Sequence, residues 1–379
     1  MVNKPFLYAI ATLVGTIVGV GIFGIPYAVA RSGFLIGMIW FIVLGIVTIL
    51  IHLAYGEVIL RTYGTHRQIG YVEKYLGRRA KKINPFIILF SRYGALLAYI
   101  IIAGQFLFII FEGTFGISAF FWSVIFFVFG SLFIFFGLKL IAKGEVFMTA
   151  LLIVVIGILL GRGFGSIDPG NLISLDVSSA FLPYGIMLFA MGGAIAIPGM
   201  REILKGEERL LKEAIILGTL IPIVIFILFT FLVVGVTGSE TSEEAIKGLS
   251  IFLKDGTVKF GAFFGFLAVA TSFLILGLNL KKTFLYEYKF PHFLAWFLTC
   301  FIPFFFFLIG LRNFIEVIGF VGSIFGGLEG IILILLFQSA KKEGKRRPEY
   351  SLNLPNFIKY GIILMFAFGI VYRIVYFLR

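Results

Sequence analysis

Apolar residues along this chain come in long runs, and short polar stretches separate them. Runs of roughly 20 or more apolar residues have the length of a helix that crosses the hydrocarbon core of a bilayer. The runs are Pro5 to Ala30, Phe34 to Leu60, Pro85 to Glu112, Ser118 to Leu138, Gly144 to Phe164, Phe181 to Met200, Leu210 to Val236, Val258 to Leu280, Phe293 to Gly310, Phe314 to Phe337 and Phe357 to Phe377. This is the transmembrane pattern and not that of buried core helices. It predicts an all-α membrane protein with eleven transmembrane helices in one domain over residues 1–379, with no room for a separate soluble unit.

Composition agrees. Hydrophobic residues make up 60% and charged residues 13%, about half the charge of a soluble globular chain. Lys4 followed by an apolar run and Ala28-Val29-Ala30 imitates a signal peptide, but the run from Phe6 to Ala30 exceeds the ~7 to 15 apolar residues of such a leader and reads as a first span. Orientation follows from the connections, because cytoplasmic loops retain Lys and Arg. With the N-terminus inside, the inner segments hold 22 of the 32 Lys and Arg residues and the outer segments 8. Eleven spans then leave the C-terminus outside. This asymmetry, and the attraction to anionic inner-leaflet lipids, account for the net charge of +13 without a nucleic-acid partner.

A lone Cys300 and the scattered His52, His66 and His292 offer neither a disulfide nor ligand spacing for a transition metal. In the outer connection Ser239 to Asp255, Thr241 and Glu244 have capping-box spacing ahead of Ala245, Ile246, Leu249 and Phe252, which predicts a short helix, either an outer lid or an interfacial segment.

The first span carries Gly15-Thr16-Ile17-Val18-Gly19-Val20-Gly21-Ile22-Phe23-Gly24-Ile25-Pro26 in its middle. Its GxGxxG match lacks the flanking strand and distal acid of a dinucleotide site and is rejected. Gly15 and Gly19 also fit a small-residue packing face. A second interruption five spans later, Phe189 to Gly199, favours another reading. Paired Gly/Pro-broken segments at matching positions of two halves mark a transporter site at the bilayer midplane. Since five is odd, the halves are predicted to be inverted: repeat one about 5–164, repeat two about 181–338, and an extra helix about 356–378.

A broken helix exposes amides at the start of its second half and carbonyls at the end of its first. A zwitterion suits both. The amides of Val20, Gly21 and Ile22 are predicted to hold a carboxylate, the carbonyls of Gly15 and Val18 to face a cation, and the carbonyls of Phe189, Ala190 and Gly192 to receive an ammonium group.

On these residues the chain resembles the amino acid/polyamine/organocation (APC) superfamily with the LeuT-type fold, and most of all its amino acid/auxin permease group. The resemblance covers spans one to ten and implies amino acid transport. In sodium-coupled members one sodium is held by first-span carbonyls and an AxxTS pattern in span eight, here Ala268-Val269-Ala270-Thr271-Ser272. Carried over, the sodium ligands are Gly15, Val18, Ala268, Thr271 and Ser272, an oxygen-only shell suited to a hard cation. Back-bonding of both hydroxyls to the preceding turn is the competing account. The fifth span has no lysine beyond Lys143, where some proton-coupled relatives place one, and this favours sodium.

Glu57 is read as the one acidic residue well inside an apolar segment, near the inner end of its span, and so as a gate or packing carboxylate ahead of a proton site. Tyr99 is a candidate substrate contact, since the family often uses an aromatic there, and Gln105 a candidate interhelical bond. The expectation is sodium-coupled symport of a neutral L-amino acid by alternating access in the cell membrane, with no cofactor besides sodium. Proton coupling or exchange on the same fold, or an amino acid sensor that does not transport, are the alternatives. Catalytic motifs and a continuous polar pore lining are both absent from the sequence.

Overall fold

The computed structural model describes residues 3–64, 66–112, 115–137, 144–249 and 256–378. Among these the chain is helical, without strands. The helices are α1 (Lys4–Ile17), α2 (Gly21–Ser32), α3 (Phe34–Leu60), α4 (Gln68–Ile110), α5 (Ala119–Phe136), α6 (Gly144–Gly163), α7 (Leu182–Ala190), α8 (Ile197–Ile203), α9 (Leu211–Thr237), α10 (Ile246–Leu249), α11 (Thr257–Tyr286), α12 (His292–Leu308), α13 (Phe314–Val321), α14 (Gly327–Glu343) and α15 (Asn356–Phe377). By length and composition eight helical segments can cross a membrane, and nine if the bent pair α1 and α2 counts as one span. The fifth and ninth predicted runs appear as the shorter apolar helices Ile153–Ser166 and His292–Leu308.

The first span breaks where its sequence said it would. Asn3 caps α1 by accepting from the Phe6 amide, and the helix stops at Val18, whose ψ of 91° is extended. The axis turns by 56° before α2 begins at Gly21. In the sixth run α7 ends at Ala190, Gly193 leaves helical geometry at φ −148°, and one 3-10 turn, Ala194–Ala196, leads into α8 with Pro198 in its first turn. There the missing proline N–H has no helical partner to lose.

The two broken spans lie against each other. α1 packs on α8 and α2 on α7, and α9 covers both halves of the first. This pairing requires opposite chain directions: the half that enters the membrane first in one span meets the half that leaves it last in the other.

Three departures from the predicted elements matter. α4 starts at Gln68, well before the predicted Pro85, and kinks at Gly77, which has φ +81°. Its leading segment is polar overall but buries Tyr71, Val72 and Tyr75, with Tyr71 edge-on to Tyr55 of α3 and the Tyr75 hydroxyl 2.7 Å from that of Thr62, a tertiary effect that a hydropathy run does not register. The tenth span is interrupted by a π-helical stretch, Gly322–Gly326, between α13 and α14. Glycine-rich π turns recur at functional sites. The predicted capping box fails: the Thr241 hydroxyl donates to the Gly238 carbonyl, Ala245 takes φ +63°, and among the described residues the helix is the turn α10. Phe252 of that prediction, and Lys143, lie outside the described residues.

Candidate functional site

Both breaks open onto one cavity of about 220 Å³. Gly19, Val20 and Gly21 line it from the first break, and Phe189, Ala190, Gly192 and Gly193 from the second. Their closeness depends on missing side chains. A Cβ on Gly21 would lie 2.5 Å from the Cβ and 2.6 Å from the Cα of Ala190, and one on Gly193 would lie 2.6 Å from Ile17 Cγ1. Val20 and Gly21 stand ahead of the first intrahelical bond of α2, so their amides belong to the orphan donors of a helix start. At the second break the Phe189 carbonyl accepts from the Gly192 amide at 3.4 Å, a long contact.

Of the predicted substrate residues, Val20, Gly21, Phe189, Ala190, Gly192 and Tyr99 line this cavity. Tyr99 stands across it, with its hydroxyl 3.9 Å from where a Cβ on Gly19 would sit. Ile22 does not line it: its side chain is fully buried and its amide donates to the Gly19 carbonyl at 3.3 Å, closing the turn between the half-helices.

None of the predicted sodium ligands Gly15, Val18, Ala268, Thr271 and Ser272 lines the cavity. Val18 is buried at the end of α1, and its amide donates to the Val14 carbonyl. Thr271 donates its hydroxyl to the carbonyls of Leu267 at 3.1 Å and Ala268 at 2.9 Å, the back-bonded geometry, while its oxygen lone pairs stay available to a cation.

Glu57 is held as a packed carboxylate away from the cavity lining. Its carboxylate pairs with Arg61 at 2.8 Å and accepts from the Ser351 hydroxyl at 3.1 Å and the Leu352 amide at 2.6 Å. Tyr350 donates to the Leu53 carbonyl alongside, at 2.7 Å. Arg61 and the linker between α14 and α15 share this carboxylate, so Glu57 is an anchor for that linker. The end of α3 is held further by Arg346, which donates to the Leu60 carbonyl, and by Arg201 of α8, which donates to the carbonyls of Ile59, Thr62 and Gly64. His52 is likewise committed, with Nδ1 2.9 Å from the Thr219 hydroxyl. Gln105 is half-buried, and its buried Oε1 makes no interhelical bond.

The acid that does reach the cavity is Glu329 of α14, inside the predicted run Phe314 to Phe337, which corrects the reading of Glu57 as the one intramembrane acid. It is in electrostatic reach of Arg92 and faces Gln68, both on α4. Arg92 also donates from Nη1 to the Thr283 hydroxyl at 3.3 Å. A charge well inside an apolar run is the signal that sequence reasoning should have taken for both residues.

Gln68, Ile88, Arg92 and Ile195 line this cavity and also a larger vestibule of about 510 Å³. The vestibule is walled by Arg67, Glu202, Lys282 and Glu287, from the connections rich in Lys and Arg. Phe23 of α2 stacks edge-on with Phe106 of α4, ring centroids 4.9 Å apart, and with Phe229 of α9 at 6.2 Å. All three rings are at most 2% exposed. The cavity thus adjoins the basic vestibule through shared walls, while this buried aromatic cluster follows the break on α2.

Two broken helices facing one cavity form the architecture of a carrier site, and over residues 3–376 the sequence matches the tryptophan/tyrosine permease family. The chain belongs to this family. The permeases of this family fall within the APC superfamily, so the resemblance carried by the first break holds, and the chain is an integral, multi-pass membrane protein. It is also similar to amino acid transporter AVT1H of Arabidopsis thaliana, at 26% identity over 226 residues, 56% of this chain and 52% of that protein. The chain spans about half the length of that relative.

Proposed function

We propose that this permease moves a neutral L-amino acid across the cell membrane by alternating access, with its N-terminus in the cytoplasm and C-terminus outside, and that the conformation described is the one open to the cytoplasm. The single observation carrying this is the meeting of the two unwound stretches at one cavity, where bare amides and carbonyls match the carboxylate and ammonium that every such substrate shares. The five-plus-five inverted repeat supplies the two-state scaffold: rocking the halves would close the vestibule and part the Phe23, Phe106 and Phe229 plug. The family's name points to an aromatic side chain.

Sodium is the coupling ion in this reading, bound by Gly15, Val18, Ala268, Thr271 and Ser272. One sodium crossing ~100 mV supplies roughly 2.3 kcal/mol, about fiftyfold accumulation before any sodium gradient is added. A second reading, proton coupling, is favoured by Glu329, a carboxyl that lines the cavity beside Arg92. Uptake of labelled tyrosine into proteoliposomes, under a sodium gradient and separately under a pH gradient, decides between them. Uptake that ignores sodium, follows the pH gradient and is lost in Glu329→Gln would replace sodium by the proton. No accumulation under either gradient, with intact binding, would leave a sensor.

A further inference from the structure

Away from the substrate cavity, a groove of about 560 Å³ runs between α4, α12, α13 and α15. Sites for small ligands commonly span ~300–1,000 Å³. Phe90 and Leu97 of α4, Phe306 of α12, Phe320 of α13 and Phe325 of the π-helical stretch wall it, and Phe90 stacks on Phe325 with ring centroids 5.9 Å apart. Phe90 lies within the third apolar run, lines neither the substrate cavity nor the vestibule, and is still 42% exposed. That face of the groove therefore meets lipid chains.

Charge gathers at one end. Arg312 and Asn313 come from the connection between α12 and α13, Glu316 from the first turn of α13 and Arg373 from α15. Asn313 and Phe325 are twelve residues apart along one span, about 18 Å at 1.5 Å per residue, and half of a hydrocarbon core is ~15 Å. The groove thus has the depth of one leaflet, with its polar end where headgroups begin. Arg312 gives Nε to the Phe307 carbonyl at 2.9 Å and Nη2 to the Leu308 carbonyl at 3.0 Å, and enters no ion pair among the described residues. Its guanidinium is held over the Phe120 ring, 4.5 Å from the centroid, with its charge left for another partner. Arg373 is 8% exposed, spends Nη2 on Glu316 and leaves a buried Nε without an acceptor. A phosphate supplies what Arg312 lacks, and the ester oxygens next to it in a glycerophospholipid are acceptors of the kind Arg373 lacks. Asn313 donates to Glu243 at 3.1 Å, which sets two carboxylates beside the two arginines at the mouth and suits a zwitterionic headgroup.

We propose that this groove is a glycerophospholipid site, with one acyl chain along the aromatic walls and the phosphate at Arg312. Val321 lines the groove and also the substrate cavity, so the chain lies one side chain away from the substrate and backs the wall of its cavity. Gly94 lets Val321 come that close to α4, since a Cβ there would meet Val321 Cγ2 at 2.1 Å. The site is independent of which ion or amino acid the protein carries.

The test uses the full-length protein in detergent, stripped of lipid, with phosphatidylethanolamine as the probe and a diacylglycerol of the same chains as the control. Native mass spectrometry is expected to show one phospholipid retained per chain, bound at least about tenfold tighter than the diacylglycerol. Arg312→Ala should remove that difference. Fluorescence reads the place: Phe320→Trp should be quenched by equimolar phosphatidylethanolamine brominated in its acyl chain, and Phe129→Trp, at an exposed position of α5, should not. Equal binding of the two lipids by the native protein overturns the proposal, as does equal quenching at the two positions or a full phospholipid preference in Arg312→Ala. If Arg312→Ala does not fold, the lipid comparison and the quenching pair still decide.

Discussion

Replacing Gly21 with alanine puts one methyl group where the two broken spans touch. The new carbon would start 2.5 Å from Ala190 Cβ and 2.6 Å from Ala190 Cα, against a comfortable carbon–carbon separation of about 3.5–4.0 Å. The obstruction includes main-chain atoms, so no rotamer change relieves it, and α2 must move from α7 by about 1 Å. Overpacking of this kind costs typically 1–3 kcal/mol. Because the same contact sets the spacing of the amides of Val20 and Gly21 from the carbonyls of Phe189 and Ala190, the cost falls on the binding-competent geometry. Substrate affinity should drop by about 5- to 150-fold. Gly161→Ala is the control: a Cβ there meets nothing within 4 Å, and in a helix interior alanine should stabilise by up to about 1 kcal/mol. Isothermal binding and thermal unfolding in the same detergent compare the two. Native affinity in Gly21→Ala would refute the idea that the breaks are held together at van der Waals distance.

Other consequences are as direct. Glu57→Ala removes a carboxylate with no exposed side-chain surface from its pair with Arg61 and from the linker; a loss of about 3 kcal/mol is expected from the stranded partner, and an unchanged melting temperature would contradict the anchor role. Phe106→Ala opens the outer plug, where truncation of a buried Phe costs about 3–5 kcal/mol; a cysteine introduced at Val20 should then react with an impermeant thiol reagent from the outside, as it should not in the native background. In the linker between α14 and α15, against burial that would raise it, the Arg346 guanidinium holds the Glu349 carboxyl below the usual carboxylate range. Its contribution to anchoring the linker is full above the unfolded carboxylate pKa and fades as pH falls through the lower folded one. Proteolysis within 344–355 should therefore accelerate at acid pH and become independent of pH in Glu349→Gln.

The hydropathy runs and the two Gly/Pro clusters were sufficient to place the chain in the membrane, to give its helices and to locate both breaks, because bilayer thickness and the loss of a Cβ or an N–H act locally in sequence. Of the six substrate residues predicted from those clusters, five line the cavity. The exception, Ile22, is turned away by a turn hydrogen bond that spacing alone does not reveal. Three-dimensional packing decided the rest. Glu57 and Glu329 are both acids in apolar runs, and their difference lies in what the chain brings to them from elsewhere: the 351–352 linker reaches Glu57 from almost 300 positions away, whereas Arg92 and Gln68 of α4 meet Glu329 at the cavity. The long N-terminal part of α4, the π turn beside the breaks and the vestibule also arise from contacts between distant segments, where burial and electrostatics override the local pattern.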